Sequence, residues 1–339
     1  VSASLRQILS ELLAGCPWEW GLAPLTDADA EVRRQKLSAW TAKGYHGSLG
    51  WLAQSQAVRA DPRREWPWAQ SALVVRRPHG LEPLPEVRGA IPRLACYARG
   101  RDYHGVLEDF LRDLAAKLKE RLPGLRTLSC VDVMPLPEVD LAVKAGLGWR
   151  GKHTLLLSRH GGSAANLGVL LLSEPVEPTV PMQDFCGSCT ACLDICPTQA
   201  LGAPGVLDAN LCLSHWSIED RDTSEGTAAQ AARGEVLGCD LCQQACPWNR
   251  KHLTEVPVPE GWPVHWEDWV RILGPGAGSG PLSKKTPLER LGRAKLRQNL
   301  LRSLENVDLP KARELERLAL EDETHPKLVA WLQGRLSEA

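Results

Sequence analysis

Eight cysteines between residues 186 and 246 carry the plainest chemistry in the chain. They fall as Cys186-x2-Cys189-x2-Cys192-x3-Cys196-Pro197, then an isolated Cys212, then Cys239-x2-Cys242-x3-Cys246-Pro247. Each corner of an iron–sulfur cubane needs a thiolate, and two-residue gaps let one loop wrap three corners. This is the bacterial ferredoxin pattern for two 4Fe-4S clusters. The last cysteine of such a run opens a short helix pointing away and serves the other cluster. That rule assigns Cys186, Cys189, Cys192 and Cys246 to one cluster, and Cys196, Cys212, Cys239 and Cys242 to the other. Zinc is the rival, because paired C-x2-C also builds zinc sites. Zinc sites rarely set three cysteines at two-residue gaps, however, and nothing in zinc chemistry calls for both prolines. Disulfides fit less well still. The opening stretch VSASLRQILSELLAGC reads as an amphipathic helix with no basic n-region, apolar h-region or twin arginine, and a reduced cytoplasmic setting is expected.

A bare two-cluster ferredoxin needs only ~60 residues. Here the first cluster cysteine is residue 186 of 339, so a large domain precedes the clusters and is the place to look for what they feed. A hydrophobic content of 43% with 24% charged residues is that of a folded globular chain. No apolar run approaches the ~20 residues that span a bilayer, so no membrane partner is expected. The formal net charge of −1 excludes a general nucleic-acid coat and leaves room for a local basic patch. Thirteen Trp stand against 2 Phe and 3 Tyr. Most suit packing, and a few could stack on a flat ligand or a base.

Stepping outward to the elements that must position these residues, the first 175 residues mix helix and strand patterns. Asp27 and Asp29 ahead of Val32, Leu37 and Trp40 predict a helix over 27–43. Ser71–Arg76 predicts a strand. Asp102 can cap a long helix with Val106, Leu107, Phe110, Leu111, Leu114 and Leu118 on one face. Leu125–Val131 reads as a strand ending at Asp132, and Pro137–Ala145 as a short helix closed by Gly146. His153–Ser158 and Leu167–Ser173 read as core strands. EPVEPTVP (174–181) is a linker, and short helices are expected after Cys189 and Cys239. A Gly-rich break, GPGAGSG, precedes a charged helical segment from about 283 to 338, two or three short helices packed as a hairpin. The division expected is 1–175, 176–252 and 253–339.

Several segments together resemble one family. They are GYHGSLGWL (44–52), ADPRR (60–64), ARGRDYH (98–104), VDVMPLPEVDLAVKAGLGWRGKHTLLL (131–157), CGSCTACLDICPTQAL (186–201), LDANLC (207–212) and GCDLCQQACPWNR (238–250). In this order, and over nearly the whole chain, they resemble epoxyqueuosine reductase. That resemblance implies a cytoplasmic, cobalamin-dependent oxidoreductase with two 4Fe-4S clusters. Such an enzyme reduces the epoxide of epoxyqueuosine at the tRNA wobble position to queuosine, using cob(I)alamin. The implied fold is an α/β (α+β) cobalamin-binding domain, related to that of reductive dehalogenases, with a two-cluster ferredoxin module and a C-terminal α-helical, HEAT-like segment.

By the same resemblance Asp132 is the proton donor, and burial against the corrin is expected to raise its pKa. From position alone, a strand-end Asp could equally cap the next turn. Arg59, Cys96, Leu156, Leu167 and Ser214 resemble cobalamin-contacting positions, and Asp240 and Gln243, between cluster ligands, are placed at the corrin edge. Cys16, Cys96 and Cys130 also suit inert buried thiols. His104 and His153 are not expected to ligate cobalt; His104 is read as capping or packing on the long helix. The chain departs from the family at Val133-Met134-Pro135, where Thr-Gly or a similar pair is usual, and at Arg150, where an apolar residue is usual. The stretch 283–302 resembles an RNA-facing helix. Lys284, Lys285, Arg293, Lys295, Arg297 and Asn299 are its tRNA-binding candidates, in a cationic run that also holds Arg290 and Arg302. A solvated helix face is the alternative for that charge. The partners implied are tRNA bearing epoxyqueuosine in its anticodon loop and an electron donor, with the protein a monomer. A corrinoid reductive dehalogenase and a non-catalytic iron–sulfur electron carrier are the competing functions.

Overall fold

The computed structural model describes residues 4–25, 29–221, 226–254, 265–273 and 286–337. Its strands are β1 (Glu19–Pro24), β2 (Ser71–Pro78), β3 (Arg93–Leu94), β4 (Thr127–Cys130), β5 (Trp149–Arg150), β6 (Leu156–Leu157), β7 (Ala165–Leu172) and β8 (Glu235–Leu237). The main sheet runs β1-β2-β7-β4 and is antiparallel at every pairing. Its two central strands, SALVVRRP and ANLGVLLL, are apolar without alternation because both faces are covered. Side chains alternate across a strand. Leu73, Val75, Leu170 and Leu172 therefore pack with Ile8, Leu9, Leu107, Leu111 and Leu118 from the helices Leu5–Leu12 and Tyr103–Arg121. Ala72, Val74, Val169 and Leu171 face the other way, onto Leu141 and Ala142 of the helix Glu138–Lys144. The result is a three-layer sandwich.

The local signals explain these elements. Asp102 accepts from the His104 N–H at 3.0 Å and starts the 19-residue helix Tyr103–Arg121. Gly146, at φ 77°, closes the helix Glu138–Lys144 with the left-handed turn that a side chain would resist. The strand expected over His153–Ser158 is shorter, confined to Leu156–Leu157. Thr154 is left-handed at φ 74° and its N–H turns back to the Gly151 carbonyl, so the segment is the return arm of the β5–β6 hairpin. The helix expected over 27–43 is observed as Ala30–Ala42 with no buried residue. Asp27 lies outside the described residues, as do Trp262 and the Gly-rich stretch at 274–280.

β3 and β8 pair in parallel, tying the first part of the chain to the cysteine-bearing part. On β8 sits the helix Gly292–Glu305, with Leu309–Asp322 packed on that helix and Pro326–Ser337 on Leu309–Asp322 in turn. One apolar core runs through Leu94, Val236, Leu237, Leu300, Leu304, Ala312 and Leu332, crossing all three segments. Among the described residues no helix is long and apolar enough to cross a membrane.

Candidate functional site

The short helices Ala191–Asp194 and Leu241–Gln244 begin two residues after Cys189 and Cys239 and carry Cys192 and Cys242. Cys186, Cys189, Cys192 and Cys246 line one cavity of about 350 Å³. Lys152 donates from Nζ to the carbonyls of Gly187 and Cys189, at 2.7 and 2.8 Å, and so ties this loop to the β5–β6 hairpin. Trp149 is 2% exposed and points its Nε1–H at Cys186 Sγ, 3.5 Å away. With Phe185 and Trp248 it forms an aromatic wall, ring centroids 5.0–6.0 Å apart. Such a wall excludes water, and an N–H aimed at a ligating sulfur favours the reduced state of a cluster.

Cys196, Cys212, Cys239 and Cys242 line a second cavity, of about 440 Å³. Burial pushes the thiols of Cys239 and Cys242 well up, a cost removed when a metal replaces the proton. Among the described residues no three His, Cys, Asp or Glu side chains converge as a site for one metal ion. Each cysteine quartet lines one cavity, the grouping that the ferredoxin spacing assigns.

The second cavity reaches well beyond its cysteines. Leu155, Leu156 and Leu167 form apolar wall, and Ser214, Asp240, Gln243 and Asp132 also line it. Asp240 accepts the Cys96 N–H at 2.7 Å, and Gln243 Oε1 accepts from the Ser163 hydroxyl at 3.0 Å. Asn249 completes this join, accepting the Ser163 N–H and donating to the Gln243 carbonyl. A Cβ at Gly162 would overlap the Asn249 amide oxygen, so glycine is required there. Three polar atoms of the lining side chains are buried with no protein partner: Arg76 Nε, His153 Nε2 and Asn166 Oδ1. Orphans of this kind inside an apolar wall call for a bound group carrying both donors and acceptors. A corrin with its amide fringe fits that requirement. His153 lines both cavities; its Nδ1 accepts the Leu155 N–H, and burial pulls its pKa down to about 4, so it is a neutral donor.

Asp132 stands at the end of β4 with φ 58°. Its Oδ2 accepts from the Tyr103 hydroxyl at 3.0 Å and lies 3.3 Å from His104 Nε2. His104 Nδ1 is 2.6 Å from Asp102 Oδ1. The expected rise in the Asp132 pKa is corrected here. The hydrogen bond from His104, joined by the one from Tyr103, outweighs desolvation and holds the carboxyl below its ordinary value. Burial alone would lower the His104 pKa, but its bonds to Asp132 and Asp102 carry it above the ordinary histidine value. The raised carboxyl of the site is Glu138, pushed up to about 7 by burial despite accepting the Asp132 N–H at 2.9 Å.

Arg59 and Cys96 stand outside the cavity wall. Arg59 lies over the Trp51 ring at 5.0 Å, donates to the Leu136 carbonyl, and faces Glu138 and Asp132 electrostatically. Burial pushes the thiols of Cys96 and Cys130 up to about 12, which keeps both protonated and unreactive as nucleophiles.

The basic C-terminal helix needs the larger correction. Asn299 is fully buried and donates to the carbonyls of Ser217 and Val236 at 2.8 and 2.9 Å. Arg297, 2% exposed, is ion-paired with Glu323 at 2.6 Å and Asp322 at 3.3 Å. Lys295 is buried over the Trp216 ring, its pKa drawn down to about 8 by desolvation. All three side chains are buried against the rest of the protein rather than presented on an exposed basic face. Arg293 is partly exposed beside Asp322, while Lys284 and Lys285 lie outside the described residues. Arg290, on the turn Pro287–Arg290, is exposed and within electrostatic reach of Tyr103, His104 and Asp132.

Residues 185–249 match a family model described as a 4Fe-4S double cluster binding domain, and residues 59–133 match one described as epoxyqueuosine reductase QueG, DUF1730. Epoxyqueuosine reductase from a Synechococcus strain is 37% identical over 237 residues, covering 70% of this chain and 73% of that one. The Escherichia coli epoxyqueuosine reductase is 35% identical over 275 residues, covering 75% and 70%. The chain belongs to the epoxyqueuosine reductase family. It is an oxidoreductase with an iron–sulfur domain. Among solved structures, a selenomethionine-labelled epoxyqueuosine reductase superposes with a TM-score of 0.83 at 25% identity, covering 98% of this chain and 90% of that one. The Streptococcus thermophilus epoxyqueuosine reductase gives a TM-score of 0.82 at 22% identity, covering 99% and 91%, a likeness of fold. An epoxyqueuosine reductase with an epoxyqueuosine-modified tRNA-Tyr stem loop gives 0.72 at 23% identity, covering 98% of each chain.

In this epoxyqueuosine reductase fold, Asp132, Leu156, Leu167, Ser214, Asp240 and Gln243 meet at one cavity with four of the cysteines. Sequence reasoning missed Glu138, Asn166 and Tyr103 as site residues, and read His104 as a helix cap. A signal for the pair Tyr103-His104 was present, because a capped helix start inside the ARGRDYH motif is a place where side chains gather.

Proposed function

We propose that this chain reduces the epoxide of epoxyqueuosine, in the anticodon loop of tRNA, to queuosine, with cobalamin in the larger cavity and two 4Fe-4S clusters supplying electrons. One observation carries the reading: a single cavity is lined by Asp132 at one part and by Cys196, Cys212, Cys239 and Cys242 at another. An electron source and a proton source thus share one cavity with apolar walls. When bound, cobalamin would supply a strong reductant or nucleophile at the epoxide carbon, fed with single electrons by the clusters.

The chain's own residues do the rest. Cys186, Cys189, Cys192 and Cys246 would hold one cluster beside Trp149. The other quartet would hold the second cluster against the corrin site. Arg76, His153 and Asn166 would meet the corrin's polar fringe with their unpartnered atoms. Removal of the epoxide oxygen as water takes up two electrons and two protons. His104 stores a proton, Asp102 steadies its far nitrogen, and Asp132 stands between His104 and the cavity to pass that proton to the departing oxygen. In this reading residues 1–175 form the cobalamin domain, 176–252 the two-cluster module and 253–339 a helical, HEAT-like, tRNA-facing part. The tRNA substrate is supported by the related enzyme with the modified stem loop and by the exposed Arg290 near Asp132. The enzyme acts in the cytoplasm, as a monomer served by a separate electron donor.

Anaerobic turnover tests the proposal. Reconstituted protein, cobalamin and a chemical reductant are mixed with tRNA bearing epoxyqueuosine, and the digested nucleosides are followed by mass spectrometry. Cobalamin-dependent loss of one oxygen, giving queuosine, is the expected result. No conversion by protein that holds both clusters and cobalamin would favour a dehalogenase or an electron carrier instead.

A further inference from the structure

Asp132 is held in an unusual backbone state. Its φ is 58°, and the Val133 N–H bonds the Val131 carbonyl across it at 2.6 Å, so Asp132 is the centre of a γ-turn with positive φ. That turn is rare and strained, and it persists only where neighbours fix it. The loop itself offers little anchorage, since Val133 beside it is 69% exposed. The fixing contact on the backbone side is the Glu138 carboxylate, whose Oε1 accepts the Asp132 N–H at 2.9 Å. Glu138 is the first residue of the helix Glu138–Lys144, whose Leu141 and Ala142 are locked into the sheet core, so its carboxylate is carried on a rigid element.

We propose that Glu138 is a positioning residue for the reaction: by holding the backbone N–H of Asp132 it fixes the γ-turn that aims the Asp132 carboxylate into the cavity. This rests on the reading of Asp132 given above. Two sets of contacts then converge on one residue. Tyr103 and His104 hold its side chain and Glu138 holds its main chain. The charged groups facing Glu138 are Arg59 from the helix Gln56–Ala60, His104 from the helix Tyr103–Arg121, and Asp132 itself. Arg59 in turn donates to the Leu136 carbonyl, tying the far end of the same loop. A γ-turn released from Glu138 would relax toward ordinary backbone angles and carry the carboxylate away from the cavity, leaving the cysteines in place. A Bacillus subtilis epoxyqueuosine reductase of the same fold has been solved with its catalytic aspartate loop swung out of the active site.

The experiment compares E138A, E138Q and D132N as holoenzymes, reading kcat and KM separately on an epoxyqueuosine-bearing stem loop. Displacement of a reacting group by about 1 Å costs on the order of 100-fold in rate. E138A is expected to lose about that factor in kcat with KM and cluster spectra unchanged. E138Q, whose amide oxygen still accepts the N–H, is expected to recover most of kcat. If E138A does not fold, E138L keeps the bulk, lacks the acceptor and carries the same expectation. Wild-type kcat in E138A, a loss confined to KM, or equal losses in E138A and E138Q would each overturn the inference while D132N is inactive. A fully active D132N would instead remove the Asp132 reading, so the two failures are told apart.

Discussion

His104 Nε2 lies 3.3 Å from Asp132 Oδ2, and between them the imidazole, not the carboxyl, is the group whose proton affinity is raised. The two are 28 residues apart and meet because the capped start of a long helix lies beside the end of β4. In the proposed reaction, proton delivery therefore belongs to a pair.

D132N is expected to lose about 100- to 10,000-fold in epoxide reduction, the usual worth of a positioned proton carrier. Cluster content should be unchanged, because Asp132 hydrogen-bonds to neither cysteine quartet, and bound cobalamin is measured beside it. Iron analysis, visible spectra and nucleoside mass spectrometry on one preparation check all three. Retained turnover would place the proton donor elsewhere.

The pH dependence follows from His104. Its raised pKa keeps it charged past its ordinary value, so turnover should fall only as pH rises through that raised His104 pKa. Asp132, held low, should stay ionised across that range. The stabilising His104–Asp132 ion pair follows the same signs. It is lost as pH rises through the His104 folded value, and again in acid as pH falls through the depressed Asp132 value. H104Q should flatten the alkaline limb of a kcat profile; an unchanged limb would assign it to another group.

Glu138 makes an opposite contribution. Its pKa rises from 4.5 to about 7, so the folded state binds a proton that the unfolded state has released. Stability should therefore fall as pH rises from roughly 4.5 to 7 and level off above, by on the order of 1–3 kcal/mol at most. E138Q has no proton to lose and should melt later than the parent at pH 8 by an amount that shrinks toward pH 5. Paired thermal melts across that range test the sign.

Replacing Cys186 by Ser should remove roughly half of the bound iron, and replacing Cys239 by Ser the other half, each leaving one cluster signal. Loss of all iron from either variant would show that the clusters form only together. Simultaneous partial loss from both would overturn the division into quartets.

The C-terminal helix predicts a contrast. N299A removes the donor to two buried carbonyls and should destabilise by about 1–3 kcal/mol. R297A strands Glu323 and should cost about 3–5 kcal/mol. Neither should change the salt slope of stem-loop binding. R290A should reduce that slope by about one phosphate's worth, with little effect on melting. A salt-slope change in N299A or R297A would reinstate those residues as RNA contacts.

The sequence alone determined what depends on short spacing. Cys-x2-Cys gaps and the Cys-Pro ends specify loops that wrap iron corners, since a ligand loop is local. The apolar runs at Ser71–Arg76 and Leu167–Ser173 specify central strands, and Asp102 specifies a helix start, for the same reason. Only the tertiary structure decided which distant groups meet. The Asp132 pKa is set by His104 and Tyr103, and its γ-turn by a carboxylate that accepts its N–H from the next helix. The charge run in Gly292–Glu305 looked like an exposed face because its partners, Glu323, Ser217 and Val236, are far along the chain. Side-chain type and period say that a lysine, arginine or asparagine is present on a helix. Desolvation and pairing, which depend on what the fold places against it, determine whether that residue faces water, RNA or the core.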